Sequence, residues 1–144
     1  DGQLDCLLHN VTSPNGVVLS PDERVLFVAA TRGNEVWRAP FMPDGSVSKV
    51  GRFFSSHGPS GPDGLAMDAS GHLMVANPGL GCVWRLNERA EPTDVWQSPA
   101  GHGVTNLAFS PGEAVAVATE SMSGSILRFK TPCAGAQVFT GKFK

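Results

Sequence analysis

Three short segments place an oxygen-bearing side chain at the head of an apolar run. They are Pro14-Asn15-Gly16-Val17-Val18-Leu19, Pro62-Asp63-Gly64-Leu65-Ala66-Met67 and Thr105-Asn106-Leu107-Ala108-Phe109. Amide and carboxylate oxygens are what a hard divalent cation takes, roughly six to eight of them for calcium. Asn15 and Asp63 are therefore candidate metal ligands, with Ca²⁺ the best match and Zn²⁺, Mg²⁺ and Mn²⁺ the alternatives. Gly16 and Gly64 behind them let the backbone turn tightly. A cation so placed acts as a Lewis acid on a carbonyl, while Asp63 can orient or deprotonate an attacking water. The same residue types also cap turns by accepting backbone N–H bonds. Capping is the ordinary explanation for one such residue, whereas a pair at repeat spacing favours the metal. Asn106, without the Pro-Asn-Gly context, is a candidate either for holding a water or substrate hydroxyl or for capping.

The spacing identifies the elements that must position these groups. Asn15 and Asp63 are 48 residues apart, and Asp63 and Asn106 are 43 apart. A period of that length built from short strands signals a β-propeller with four strands per blade. In the first unit, strands are expected from residue 15, over 25–30 and 35–40, and within 47–54, with turns at Ser20-Pro21-Asp22, 31–34 and Pro43-Asp44-Gly45. The second unit repeats the order from Gly64, over 73–77, 82–87 and 92–97, with Val83-Trp84-Arg85 in register with Val36-Trp37-Arg38. The third runs over 107–109, 114–119, 126–129 and 137–139. The expected class is all-β, with essentially no helix, since no segment sustains a 3.6-residue period with caps. Residues 4–9 read as one more strand, left from a preceding blade. The units are thus 1–13 (outer strand), 14–61, 62–104 and 105–144, which is half of a six-bladed ring. Trp37 and Trp84 are expected in the core between blades.

Composition agrees with this and excludes several classes. The 144 residues carry a net charge of −2, which gives no electrostatic footprint for nucleic acid or an anionic membrane surface. Gly (17) and Pro (11) fit many tight turns, and a 41% hydrophobic share argues against disorder. No apolar run is long enough to span a bilayer, and no signal peptide is visible at the start, which lacks Met. Cys6, Cys82 and Cys133 form no paired motif, so they read as small hydrophobes in a reducing compartment, the cytoplasm. Lys142-Phe143-Lys144 reads as a solvated basic tail.

Blade counting has a further consequence. Propellers close with roughly four to eight blades, and an open set of three exposes apolar flanks. A six-bladed ring then needs either a longer chain or a homodimer of two such halves. Loops before the innermost strand share a face with loops between the second and third strands of a blade. The segments 31–34, 77–81 and 120–124 should therefore surround the pocket of Asn15, Asp63 and Asn106. Asn77, Glu120 and the strand-head histidines His57 and His102 are the candidate substrate-binding residues of that face. The plainer alternatives are a solvated loop for Glu120 and partly exposed structural roles for the histidines.

Pro14-Asn15-Gly16…Ser20-Pro21-Asp22 followed by Gly61-Pro62-Asp63-Gly64-Leu65-Ala66-Met67-Asp68…Gly71-His72-Leu73 closely resembles the senescence-marker-protein/gluconolactonase/luciferin-regenerating family. The resemblance covers nearly the whole chain and corresponds to the C-terminal half of such a protein. It implies a six-bladed propeller that hydrolyses a small-molecule lactone with a central divalent metal. By similarity the metal ligands are Asn15 and Asp63, with Asp63 also the general base. The family completes its metal site with a Glu in a Glu-Gly-Pro context, which this chain lacks; Glu120 is the one carboxylate of the three loops that can replace it. The functional expectation is a metal-dependent lactonase competent as an assembled ring. The alternatives are a non-catalytic propeller binding module and a structural half-propeller that self-associates.

Overall fold

The computed structural model describes residues 2–137. Its eleven strands form three antiparallel sheets, each a meander in chain order. The first sheet holds β1 (Pro14–Leu19), β2 (Val25–Ala30), β3 (Glu35–Pro40) and β4 (Gly51–Ser55). The second holds β5 (Leu65–Met67), β6 (Leu73–Asn77), β7 (Cys82–Leu86) and β8 (Pro92–Gln97), and the third β9 (Val104–Phe109), β10 (Val115–Glu120) and β11 (Ser125–Lys130). One 3₁₀ turn, Thr31–Gly33, is the helical exception among the described residues. These are the blades of a propeller, as the repeat implies, and among the described residues no helix is long and apolar enough to cross a membrane.

In the first two sheets the hairpin turns away from the strand heads are closed by short acidic or amide side chains. Asp22 Oδ1 accepts from Ser20 Oγ (2.6 Å) and Arg24 N (3.2 Å), and Asp44 Oδ1 from Ser46 Oγ (2.6 Å) and Ser46 N (3.0 Å). Asp68 accepts from the backbone of Ser70 and His72, and Asn87 from that of Arg89 and Glu91. Each side chain replaces a missing backbone acceptor and fixes the register of the strands it joins.

Apolar residues between the sheets form two cores. Phe27, Ala29, Val36 and Phe54 of the first sheet meet Leu65, Met67, Leu73, Val75 and Leu86 of the second. The other face of the second sheet presents Met74, Ala76 and Val83 to Val104, Leu107 and Ala118 of the third. Every residue of β6 is consequently buried, which explains its apolar run Leu73-Met74-Val75-Ala76. Trp84 packs edge-on against Phe54 at 5.3 Å, and Trp96 lies 5.1 Å from Phe129. Trp37 is half-buried, pairs with Val28 on the face turned away from the second sheet, and donates to Glu35 Oε2 at 2.7 Å. The outer flanks keep apolar groups in solvent, with Val17 at 60% exposure and Ile126 at 70%.

Three strand expectations change. Residues 4–9 form no strand, and Leu4 is 97% exposed, because an outer strand needs a ladder partner and none of the described residues pairs with it. The fourth strand of the first sheet is shorter than expected, since Val47 makes only an isolated bridge to Phe41 before β4 begins at Gly51. Gln137 carries no strand, and Val138 and Phe139, like the basic tail of Lys142, Phe143 and Lys144, lie outside the described residues. The chain after β11 instead returns to the second sheet, where Gly135 bridges Asp68 and Ala136 N donates to Met67 O at 2.8 Å. Cys6, Cys82 and Cys133 are all free thiols.

Candidate functional site

The three polar strand heads lie side by side because glycine permits it. Gly16 N donates to Asp63 O at 3.0 Å, and Gly64 N donates to Thr105 O at 2.9 Å. A methyl group on Gly16 would lie 2.7 Å from Leu65 N, and one on Gly64 2.7 Å from Asn106 Cα. The backbone of each head is thus seated directly against the next, in the order Asn15, Asp63, Asn106. Gly64→Ala should wedge the second and third heads apart and cost about 1–3 kcal/mol as an overpacking change. Chemical denaturation with a lowered midpoint and unchanged slope would register it; an unaltered midpoint would show that the heads are not close-packed.

The side chains at these heads differ from Asp22, Asp44 and Asp68 at the opposite end, each of which is bonded into its turn. Among the described residues, neither the Asn15 amide nor the Asp63 carboxylate is engaged in a hydrogen bond, so the turn-capping alternative is not realised for either. Asp63 is half-buried, and that burial pushes its carboxyl above the ordinary value. Asn106, for which capping is one of two open roles, does cap: its Oδ1 accepts from Leu107 N at 2.9 Å. An uncapped amide oxygen beside a desolvated, unpaired carboxylate fits a hard cation, whose charge would offset the cost of burying Asp63. Two such groups alone do not make a metal centre, and among the described residues no three His, Cys, Asp or Glu side chains converge as one.

The loops expected around this end are joined to one another. Thr31 Oγ1 donates to Pro62 O at 2.8 Å, Ser56 N to Asn34 O at 2.7 Å, and Gly79 N to His102 O at 2.7 Å. Asn77 is not available to substrate. It is 1% exposed, its amide oxygen accepts from Ser56 Oγ at 2.6 Å, and its nitrogen donates to Ser60 O and Pro78 O. Its role is to brace the loop after β4, because a buried amide in a packed loop must satisfy both ends of its dipole.

Glu120 is neither a solvated loop residue nor a free ligand. It is 1% exposed and accepts from Gly103 N (2.6 Å), Met122 N (3.3 Å), Ser123 N (2.7 Å) and Ser123 Oγ. These bonds, led by that from Ser123 Oγ, outweigh desolvation and hold the carboxyl below its ordinary value. With its oxygens turned into the loop, it does not replace the missing glutamate. His57 and His102 are both exposed, and the His57 ring rests edge-on against Trp84 at 5.6 Å.

One feature escaped the sequence reading. At the opposite end of the second sheet, Asp68 (1% exposed) binds Arg85 Nε at 2.8 Å, and Arg85 also donates to Asp94 Oδ2 (3.0 Å) and Ser70 Oγ (3.1 Å). The signal was present in the Val-Trp-Arg repeat, where Arg85 is buried while its counterpart Arg38 is exposed. Spacing alone does not distinguish the two.

Comparison with known proteins agrees with this architecture. The chain is 32% identical over 116 residues to lactonase drp35 of Staphylococcus saprophyticus, an alignment covering 74% of this chain and 35% of that protein. The structure of a calcium-binding protein, regucalcin, from Agrobacterium tumefaciens superposes with a TM-score of 0.78 at 25% identity, over 96% of this chain and 52% of that one. A gluconolactonase from Xanthomonas campestris shares the fold, with a TM-score of 0.68 at 23% identity over 89% of this chain and 38% of that one. The chain therefore spans about a third to a half of the length of these relatives. The SMP-30/Gluconolactonase/LRE-like region matches residues 1–118, and the chain belongs to that family.

Proposed function

We propose that this chain supplies half of the ring of a metal-dependent lactone hydrolase. The observation that carries the reading is the pair Asn15 and Asp63, adjoining at the strand heads and engaged in no side-chain hydrogen bond, where Asp22, Asp44 and Asp68 at the other end are each bonded into their turns. The lactonase relative and the calcium-binding regucalcin neighbour support lactone and Ca²⁺ as the substrate class and ion. Asn15 and Asp63 would hold the ion, which when bound polarises the lactone carbonyl and stabilises the developing oxyanion. Asp63 accepts a proton from the attacking water and returns it to the ring oxygen as the C–O bond breaks, so the product is a hydroxy acid. Gly16 and Gly64 fix the two heads, and the joined loops brace that face.

The remaining metal oxygens must come from the other half of the ring, supplied either by a second copy of this chain or by further blades. The exposed flank residues Val17 and Ile126 support such a closure, since a neighbouring blade would cover them. Three free thiols support a reducing compartment, the cytoplasm.

Hydrolysis of D-glucono-δ-lactone by the purified chain, followed beside its native mass, tests the proposal. Expected is calcium-dependent turnover confined to a closed-ring mass, abolished by chelator and restored by added Ca²⁺, with a melting temperature that rises with Ca²⁺. Calcium binding without turnover in a closed ring would favour the non-catalytic binding module. A monomer that binds no divalent ion would leave a structural half-propeller.

A further inference from the structure

Two carboxylates are fully buried among the described residues, and they are buried in different ways. Asp68 faces a guanidinium, whereas Glu120 makes no ion pair and is surrounded only by N–H and O–H donors. A buried charge without a counter-ion is costly unless donors are held in place for it, so the loops it fixes are the place to look for its purpose. Those loops are 101–103 and 121–123, at the same end as Asn15 and Asp63.

Each residue of the segment Gly101-His102-Gly103 has at least one backbone group in a hydrogen bond. Gly101 N donates to Ser98 Oγ at 3.2 Å, and Gly103 N to Glu120 Oε1 at 2.6 Å. His102 O accepts from Gly79 N at 2.7 Å, and Gly103 O from Ser121 N at 2.9 Å. Both glycines press on the carboxylate: a methyl group on Gly101 would lie 3.0 Å from Glu120 Cδ, and one on Gly103 2.7 Å from Oε1. Between these fixed points the His102 ring is exposed and engages no hydrogen bond among the described residues. His57, its counterpart on the preceding blade, has its ring against Trp84. An over-determined backbone presenting a free imidazole has already lost most of the conformational entropy that binding would cost.

We infer that His102 is a ligand-contacting residue at the rim of the Asn15–Asp63 site and that Glu120 is its positioning residue. The inference rests on the lactonase reading for the location of the ligand. The imidazole offers one N–H donor and one acceptor to the hydroxyls of a lactone, or a donor to the carboxylate of the opened acid. Glu120 touches no ligand; it acts by holding Gly103 and, through it, His102.

The test uses the full chain, isotope-labelled and loaded with Ca²⁺, titrated with sodium gluconate while the His102 ring resonance is followed by NMR. The resonance is assigned by its loss in His102→Gln. Expected is a saturable shift of that resonance, and gluconate affinity weakened about fivefold in His102→Gln, the scale of one lost hydrogen bond. Glu120→Gln should weaken it similarly, and the double variant no more than His102→Gln alone, because the two act as one unit. A His102 resonance that stays still while gluconate saturates the chain, or additive losses in the double variant, would overturn the inference. So would a calcium-loaded chain that takes up no gluconate. Should Glu120→Gln fail to fold, the wild-type resonance and the exposed His102→Gln variant decide the matter. A moving His102 resonance without hydrolysis would sink the catalytic reading and leave this one standing; hydrolysis with an unmoved resonance does the reverse.

Discussion

Asp63→Asn should stabilise the metal-free chain, lose that advantage when Ca²⁺ is added, and remove the proposed lactonase activity. The carboxyl is half-buried and unpaired, with its protonation shifted upward by desolvation alone. A carboxyl with a raised folded value favours folding only while protonated. Its contribution is therefore lost as pH rises from the ordinary carboxylate range through the folded value, and at neutral pH the ionised group opposes folding. Asparagine has the same shape and no charge, so without metal the variant should melt above the wild type at pH 7, the difference shrinking as pH falls. Excess Ca²⁺ should reverse the order, since only the wild type keeps a charged oxygen ligand and gains binding free energy in the folded state. Lactone turnover in the assembled ring should fall by about 10²–10⁴-fold, the usual contribution of a positioned base. Melting curves with and without Ca²⁺, beside a turnover assay, check all three. A variant less stable than wild type in chelator would show that Asp63 is a structural cap.

That prediction depends on information spread unevenly between sequence and structure. The blades were legible because turn chemistry and apolar runs are local: Ser20-Pro21-Asp22, Val83-Trp84-Arg85 and the apolar 73–76 run each determine their own conformation. Adjacency of Asn15, Asp63 and Asn106 was legible too, because equal spacing in a repeat becomes equal position around an axis. What a side chain does once in place was not legible. Asn106 and Asn15 occupy matching positions, yet only Asn106 turns its oxygen back onto the next backbone N–H. Asn77 and Glu120 were assigned to the pocket by topology, and both point into the loops, because a buried polar group finds its partners among whichever N–H groups packing brings near. Residues 4–9 have strand composition and form none, since a ladder belongs to a pair of segments. The return of Gly135 to Asp68 had no signal at all in the repeat, as it breaks the period.

The far end of the second sheet should give the largest loss of stability. Asp68 accepts from Arg85 Nε at 2.8 Å while its other oxygen closes the turn through Ser70 N, Ser70 Oγ and His72 N. Burial alone would raise its carboxyl; the His72 N–H, the Arg85 guanidinium and the Ser70 hydroxyl together hold it below the ordinary value. Asp68→Ala removes the turn acceptor and leaves Arg85, 10% exposed, with only the half-exposed Asp94, so a cost of about 3–5 kcal/mol is expected. Arg85→Ala leaves the buried carboxylate uncompensated and should cost a similar amount, while the double variant should cost clearly less than the sum. The pH dependence has the opposite sign to that of Asp63. With a lowered folded value, the contribution of Asp68 is complete above the ordinary carboxylate value of 3.8 and is lost as pH falls through the folded one. Urea unfolding of the three variants at neutral and acid pH measures both effects, and additive single-variant losses would show that the two residues do not act as a pair. β5 runs from the loop of Asp63 to Met67, next to Asp68, so these variants should also loosen the proposed cation site; Asp63→Asn, by contrast, leaves this end untouched. Calcium affinity that falls in Asp68→Ala in proportion to lost stability would then separate support of the site from membership in it.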